Sequence, residues 1–155
     1  MAAAYTIRPA VSADVDTLVA FTLQEALEAE GTRATEMAVR RGIEAAFAIP
    51  PRATYWVVEA SDRTIVGSTS ITTEWSDFHG ADYWWIQSIF IVPEHRGHGL
   101  IERLLHHLAH TAKAAGALDL RLYAHTSNQR ALRAYRRCGF TTAPYVIMSK
   151  GLRPE

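Results

Sequence analysis

IVPEHRGHGLIERLL, residues Ile91 to Leu105, passes from a β-branched apolar run through a turn carrying Gly97 and Gly99 into a stretch with helical periodicity. Strand, glycine turn and helix in that order leave several backbone N–H groups at the helix start without intrachain partners, beside the positive end of the helix dipole. Glycine in the bend lets the backbone approach a ligand with no Cβ in between. The stretch reads as a receptor for an anion, and the pyrophosphate of a nucleotide cofactor would fit it.

Outward from this turn, Leu100, Ile101, Leu104, Leu105, Leu108 and Ala112 recur on one side of a helix that Gly116 ends. Upstream, YWWIQSIFIV is almost continuously apolar, as in a strand covered on both faces. Strict alternation along it puts Trp85, Gln87 and Ile89 on one face and Trp84, Ile86 and Ser88 on the other. ATYWVVEA and IVGSTSITTEW, joined by a short polar turn, predict a hairpin. Before them come a short strand ending at Pro9, an amphipathic helix with Ser12 as N-cap that stops near Gly31, and a second helix closed by Pro50 and Pro51. After the central helix, LDLRLYAH predicts a strand, NQRALRAYRRCG a short helix and FTTAPYVIMSKGL a last strand. The expected fold is α/β, with an antiparallel hairpin region feeding a parallel, right-handed strand–helix–strand crossover and helices on both sheet faces.

The 155 residues fit one domain, 1–155, and neither a repeat nor a linker divides them. Hydrophobic residues at 48% exclude a disordered chain, and 16 basic against 16 acidic residues exclude the global positive field of a nucleic-acid or acidic-membrane binder. There is no basic leader and no apolar run of about 18 residues, so a cytoplasmic protein is expected, with no membrane partner. The lone Cys138 permits no internal disulfide. His106 and His110 share a helix face, but no third ligand stands at zinc-like spacing, so no metal is expected.

A second constellation lies downstream, in NQRALRAYRRCGF, where Asn128, Ala131 and Tyr135 fall on one helix face ahead of Gly139 and Phe140. Together with IVPEHRGHGL it resembles the GNAT family of N-acetyltransferases, whose members carry an RxxGxG or RxxGxA turn after the fourth strand and an NxxAxxxYxxxGF helix further on. The element order agrees along essentially the whole chain. The resemblance implies a mostly antiparallel central sheet with a parallel, splayed strand pair, and acetyl-CoA as the cofactor. Arg96, Gly97, His98 and Gly99 match the pyrophosphate loop, with N–H groups of Gly97, Gly99 and Ile101 as donors. Ile101 stands where the family has Gly or Ala, so its side chain must turn away from the phosphates. By the same resemblance the backbone of Ile89, Phe90 and Ile91 pairs with the pantetheine arm as an added strand, and Asn128 steadies that arm from the other side. Arg103, Arg130 and Arg133 are candidates for the adenosine 3′-phosphate.

Acyl transfer to an amine needs a neutral lone pair, a polarised thioester carbonyl and a proton for the departing thiolate. The resemblance gives the last role to Tyr135 and the second to a backbone N–H of Phe90 or Ile91. Several relatives use a strand Glu as base where this chain has Gln87, which can only orient water or the amine. Glu74, with a water relay, is the expected base, and Glu28 or Glu30 could reach the same cleft. Trp85, Gln87 and Glu28 are the expected acceptor contacts, within a wall of Trp75, Trp84, Trp85, Glu74, Asp77 and Asp82 that suits a cationic amine. The expectation is transfer to a small-molecule primary amine in a ternary complex. Its alternatives are a protein N-terminal or lysine acetyltransferase and a non-catalytic acyl-CoA sensor. A homodimer is one assembly the resemblance allows.

Overall fold

A computed structural model describes residues 4–31 and 33–153. Five strands form one sheet in the order β1 (Tyr5–Pro9), β2 (Thr54–Ala60), β3 (Ile65–Ser76), β4 (Ala81–Ile91) and β5 (Leu120–Leu122). The first four pair antiparallel, while β5 lies parallel to β4 through Trp84↔Leu120, Trp85↔Arg121 and Ile86↔Leu122. The mixed sheet expected from the sequence is the one observed.

Side-chain alternation in β2 explains the layers. Val57 faces Leu18 and Val19 of α1 (Val15–Glu30) and Ile43 of α2 (Glu36–Glu44). Its neighbours Trp56 and Val58 point the other way, toward Leu104, Leu105 and Leu108 of α3 (Leu100–Ala114). The periodic leucines of α3 are therefore its buried face, and α4 (Gln129–Arg137) joins the same side through Tyr135. Asp14, not Ser12, occupies the N-cap position of α1, and Ser12 begins a 3-10 turn before it. There Asp14 accepts the Val11 N–H at 2.8 Å and both terminal nitrogens of Arg8 at 2.9 and 3.0 Å, which holds its carboxyl below the usual range. Among the described residues no helix is long and apolar enough to cross a membrane.

Two further expectations fail. The strict alternation along YWWIQSIFIV is broken, because Ser70 pairs with Ser88 while Ile71 pairs with Ile86, leaving Gln87 as an extra residue in β4. Such a bulge reverses the facing of everything beyond it. Ile89 and Ile91 thus join Trp84 and Ile86 on the α3 side, whereas Ser88 and Phe90 turn toward α1, where the Phe90 ring lies 4.9 Å from that of Phe21. The bulge also ends the β4–β5 ladder at Ile86, so the two strands part from Gln87 onward. The second failure is the last strand. Residues 141–153 belong to no strand and are exposed throughout. Strand propensity alone cannot hold a strand in place without a ladder to join.

Candidate functional site

Where β4 and β5 separate, a cleft of about 1370 Å³ opens between α1, the loop before α3, and α4. The loop is built as the sequence predicts. A 3-10 turn, Pro93–His95, follows β4, and Gly97 (φ 80°) and Gly99 (φ 70°) adopt left-handed backbone that a residue with a Cβ rarely accepts. Gly99 caps α3, and the first helical bond runs from the Arg103 N–H to its carbonyl at 3.0 Å. Among the described residues none of the backbone N–H groups from Gly97 to Ile101 meets an acceptor. Ile101 packs into both α3-side core clusters, so its branched side chain leaves the turn open as required.

Arg96 donates from Nε to the Ile91 carbonyl at 2.9 Å, pairs with Glu28 of α1 at 2.7 Å, and stands 5.6 Å above the Phe90 ring. Glu28 is thereby tied to the loop. His98 does not line the cleft; its Nδ1 lies 3.1 Å from the His95 carbonyl oxygen and its ring rests against Tyr5. Arg103 is spent on the Tyr5 carbonyl at 2.8 Å, while Arg130 and Arg133 remain on the cleft wall.

At the other end, Asn128 caps α4 by accepting the Ala131 N–H at 3.2 Å, which points the helix face bearing Tyr135 into the cleft. The Tyr135 ring packs on the Trp56 and Leu105 cluster. Burial, and secondarily the charge of Glu25, push its hydroxyl above the ordinary range, so it stays a protonated donor at neutral pH. Phe90 and Ile91 are buried by their side chains and border the cleft along the parted edge of β4.

Gln87, Trp85 and Glu74 also reach the cleft, but the expected aromatic and acidic wall is only partly assembled. Trp84 lies in the core, 6.4 Å from Trp56, because the sheet turns it toward α3. Trp75, Asp77 and Asp82 sit along the distal end of the β3–β4 hairpin and do not line the cleft. Glu74 accepts the Trp85 indole N–H at 2.6 Å, and Trp85 stacks on Tyr123 at 4.4 Å.

The sequence reading missed Glu25. Its carboxylate accepts the Ile89 N–H at 3.0 Å on the splayed edge of β4 and divides the main cleft from a smaller cavity of about 500 Å³ that runs toward Tyr55. Burial pushes its carboxyl up to about 7, against the lowering effect of the Ile89 N–H and with smaller contributions from the charges of Glu30 and Glu28. One signal was available: Glu25 stands four residues after Phe21 and seven after Leu18, so it interrupts the buried face of α1 with an acid.

A family model described as the acetyltransferase (GNAT) family matches residues 19–140. The chain is 28% identical over 94 residues to the streptothricin acetyltransferase of Escherichia coli, an alignment covering 61% of this chain and 51% of that protein, so it spans about half the length of this relative. Among solved structures, a "possible acetyltransferase" from Clostridium difficile 630 superposes with a TM-score of 0.90 at 24% identity, covering 97% of this chain and 99% of that one. A "predicted acetyltransferase with acetyl-CoA" from Clostridium acetobutylicum superposes with a TM-score of 0.78 at 18% identity, over 95% and 96% of the two chains. At these identities the superpositions establish the fold.

Proposed function

Because the chain belongs to the GNAT family of acetyltransferases, we propose that it moves an acetyl group from acetyl-CoA to a primary amine of a small molecule, by direct attack in a ternary complex. The observation that carries this reading is the set of partnerless N–H groups of Gly97, Gly99, Leu100 and Ile101 on the same cleft as Tyr135. These groups suit a diphosphate: they are unpaired donors at a helix N-terminus, and the glycines keep Cβ atoms out of the bend. The parted β4 edge suits the pantetheine amides, since its backbone groups from Gln87 onward have no β5 partner. Bound there, acetyl-CoA supplies the reactive thioester.

The residues of this chain supply the proton transfers. Glu25 takes a proton from the acceptor ammonium, and this role passes to it from Glu74 because Glu25 lies inside the cleft with a carboxyl poised near neutrality. The freed amine nitrogen attacks the thioester carbonyl carbon, the C–S bond breaks as Tyr135 protonates the leaving sulfur, and the nitrogen gives up its second proton to the resulting phenolate, which leaves a neutral amide and restores Tyr135. The backbone N–H of Ile91 receives the carbonyl oxygen. Glu74, fixed by Trp85 at the mouth, holds the positive charge of the incoming amine beside an aromatic face. Gln87, pushed out of the ladder by the bulge, contacts the acceptor.

Thiol release from acetyl-CoA across a panel of primary amines tests the proposal. Turnover with at least one amine is expected, and Tyr135→Phe should lower kcat roughly 100-fold or more while the dissociation constant for CoA stays the same. Unchanged turnover in that variant removes the tyrosine from the mechanism, and CoA binding without thiol release for any amine favours the non-catalytic sensor.

A further inference from the structure

The acceptor end of the cleft holds an acid that the proton transfers do not use. Of the carboxylates on the cleft wall, Glu28 is paired with Arg96 at 2.7 Å and Glu102 with Arg137 at 3.0 Å. Glu74 accepts a neutral donor, the Trp85 indole N–H, and among the described residues it has no cation partner. Arg121, which β5 places beside Trp85, bonds to Asp119 at 3.3 Å and lies 3.5 Å over the Tyr83 ring, off the cleft wall. Trp85 in turn stacks on Tyr123 at 4.4 Å with 26° between the rings, so the Glu74 carboxylate stands at the rim of a double aromatic face. A carboxylate beside π faces is a receptor for an alkylammonium, which bonds the acid and rests on the rings.

That ammonium is not the reacting one. The reacting nitrogen attacks only after losing a proton to Glu25, so it stands beside the carboxylate that is bonded to the Ile89 N–H. On β3, Thr69 lies opposite Ile89 and Thr72 opposite Trp85, three residues apart, which sets the Trp85–Glu74 contact about 10 Å along the sheet from the base. One nitrogen cannot serve both acids. Hydrogen bonds of about 2.8 Å at each end leave roughly 4 to 10 Å between two nitrogens, the reach of a short aliphatic spacer. Thr72 and the extruded Gln87 line the cleft between the two acids, and both are uncharged.

Given the acetyl transfer proposed above, on which this rests, we propose that the acceptor is a dicationic amine, a straight-chain diamine or a longer polyamine. Its second ammonium docks on Glu74 against the Trp85–Tyr123 stack while its first nitrogen reacts at Glu25. The second nitrogen keeps its proton at neutral pH, since an alkylammonium loses it only near about pH 10. Its charge is the same before and after transfer, so Glu74 acts on acceptor binding and not on the barrier of the chemical step.

Thiol release from acetyl-CoA is measured with cadaverine, pentylamine and aminopentanol, which share one chain length and end in an ammonium, a methyl and a hydroxyl group. Cadaverine should be preferred in kcat/KM by about tenfold. Glu74→Gln keeps an oxygen for the indole N–H and removes the charge, and the site is exposed, so the fold should persist by near-UV circular dichroism. The variant should raise KM for cadaverine about tenfold, leave its kcat within about twofold, and erase the preference over the other two amines. Equal kcat/KM for the three amines in the parent chain, or an unchanged cadaverine KM in the variant, overturns the proposal and leaves the transferase standing. Turnover of other amines with none for cadaverine overturns it in the same way. Release with no amine at all removes the transferase, and the dicationic acceptor with it.

Discussion

Replacing Glu25 by Gln should move stability and activity in opposite directions, and the sizes follow from its surroundings. The Glu25 carboxyl titrates near 7 instead of the ordinary 4.5 because burial, with the charges of Glu28 and Glu30 nearby, disfavours the ionised form. Tyr55 on β2 and Tyr135 on α4 also face it, and burial, the larger cause, and its charge raise both. The folded protein therefore binds more protons than the unfolded chain between these two values, so stability falls as pH rises through that window. At about 1.4 kcal/mol per pH unit, ionising Glu25 in place costs the native state about 3 kcal/mol above pH 7. Gln keeps an oxygen for the Ile89 N–H and cannot ionise. The variant should gain up to about 3 kcal/mol at pH 8.5, roughly 6 to 12 °C in Tm for a chain of this size, and almost nothing at pH 4.5. Its kcat/KM should fall by about 100-fold or more, and the acid limb near pH 7 in the parent profile should vanish. Urea unfolding at the two pH values, with a pH–rate profile, reads both effects. An equal stability change at both pH values, or an acid limb near 4.5 in the parent, would refute the reasoning.

Gly99→Asp should weaken CoA binding by about tenfold or more, since the substitution strains a φ of 70° and sets a negative charge among the donors of the turn; calorimetry showing parental affinity would move the phosphate site elsewhere. Gly67→Ala places a Cβ 2.5 Å from Ile91 Cδ1 and 2.9 Å from the Phe90 carbonyl oxygen, and the second contact is backbone that cannot swing aside. A loss of about 1–3 kcal/mol in denaturant unfolding is expected, together with weaker CoA binding as the end of β4 shifts.

The sequence by itself determined what depends on near neighbours. Gly97 and Gly99 before an apolar-periodic helix define the left-handed turn that opens α3, because backbone freedom and helix ends are properties of a few consecutive residues. The same holds for Asn128 and Tyr135, placed on one face by helical spacing and marked, with the turn, by a family resemblance. The strand pattern was also legible up to Ile86, where period-two alternation holds. Tertiary structure decided the rest. The extra residue at Gln87 is defined only by the pairing of β4 with β3, and it reassigns every later side chain of the strand. Trp84 and Trp85 are adjacent and alike in the sequence, yet one is core and the other cleft wall, because the layers differ on the two sides of the sheet. Glu25 acquired its raised carboxyl through burial, against a hydrogen bond to Ile89, 64 residues away. Residues 141–153 have the pattern of a strand but form none and have no ladder partner among the described residues, since a strand needs a ladder as well as a propensity.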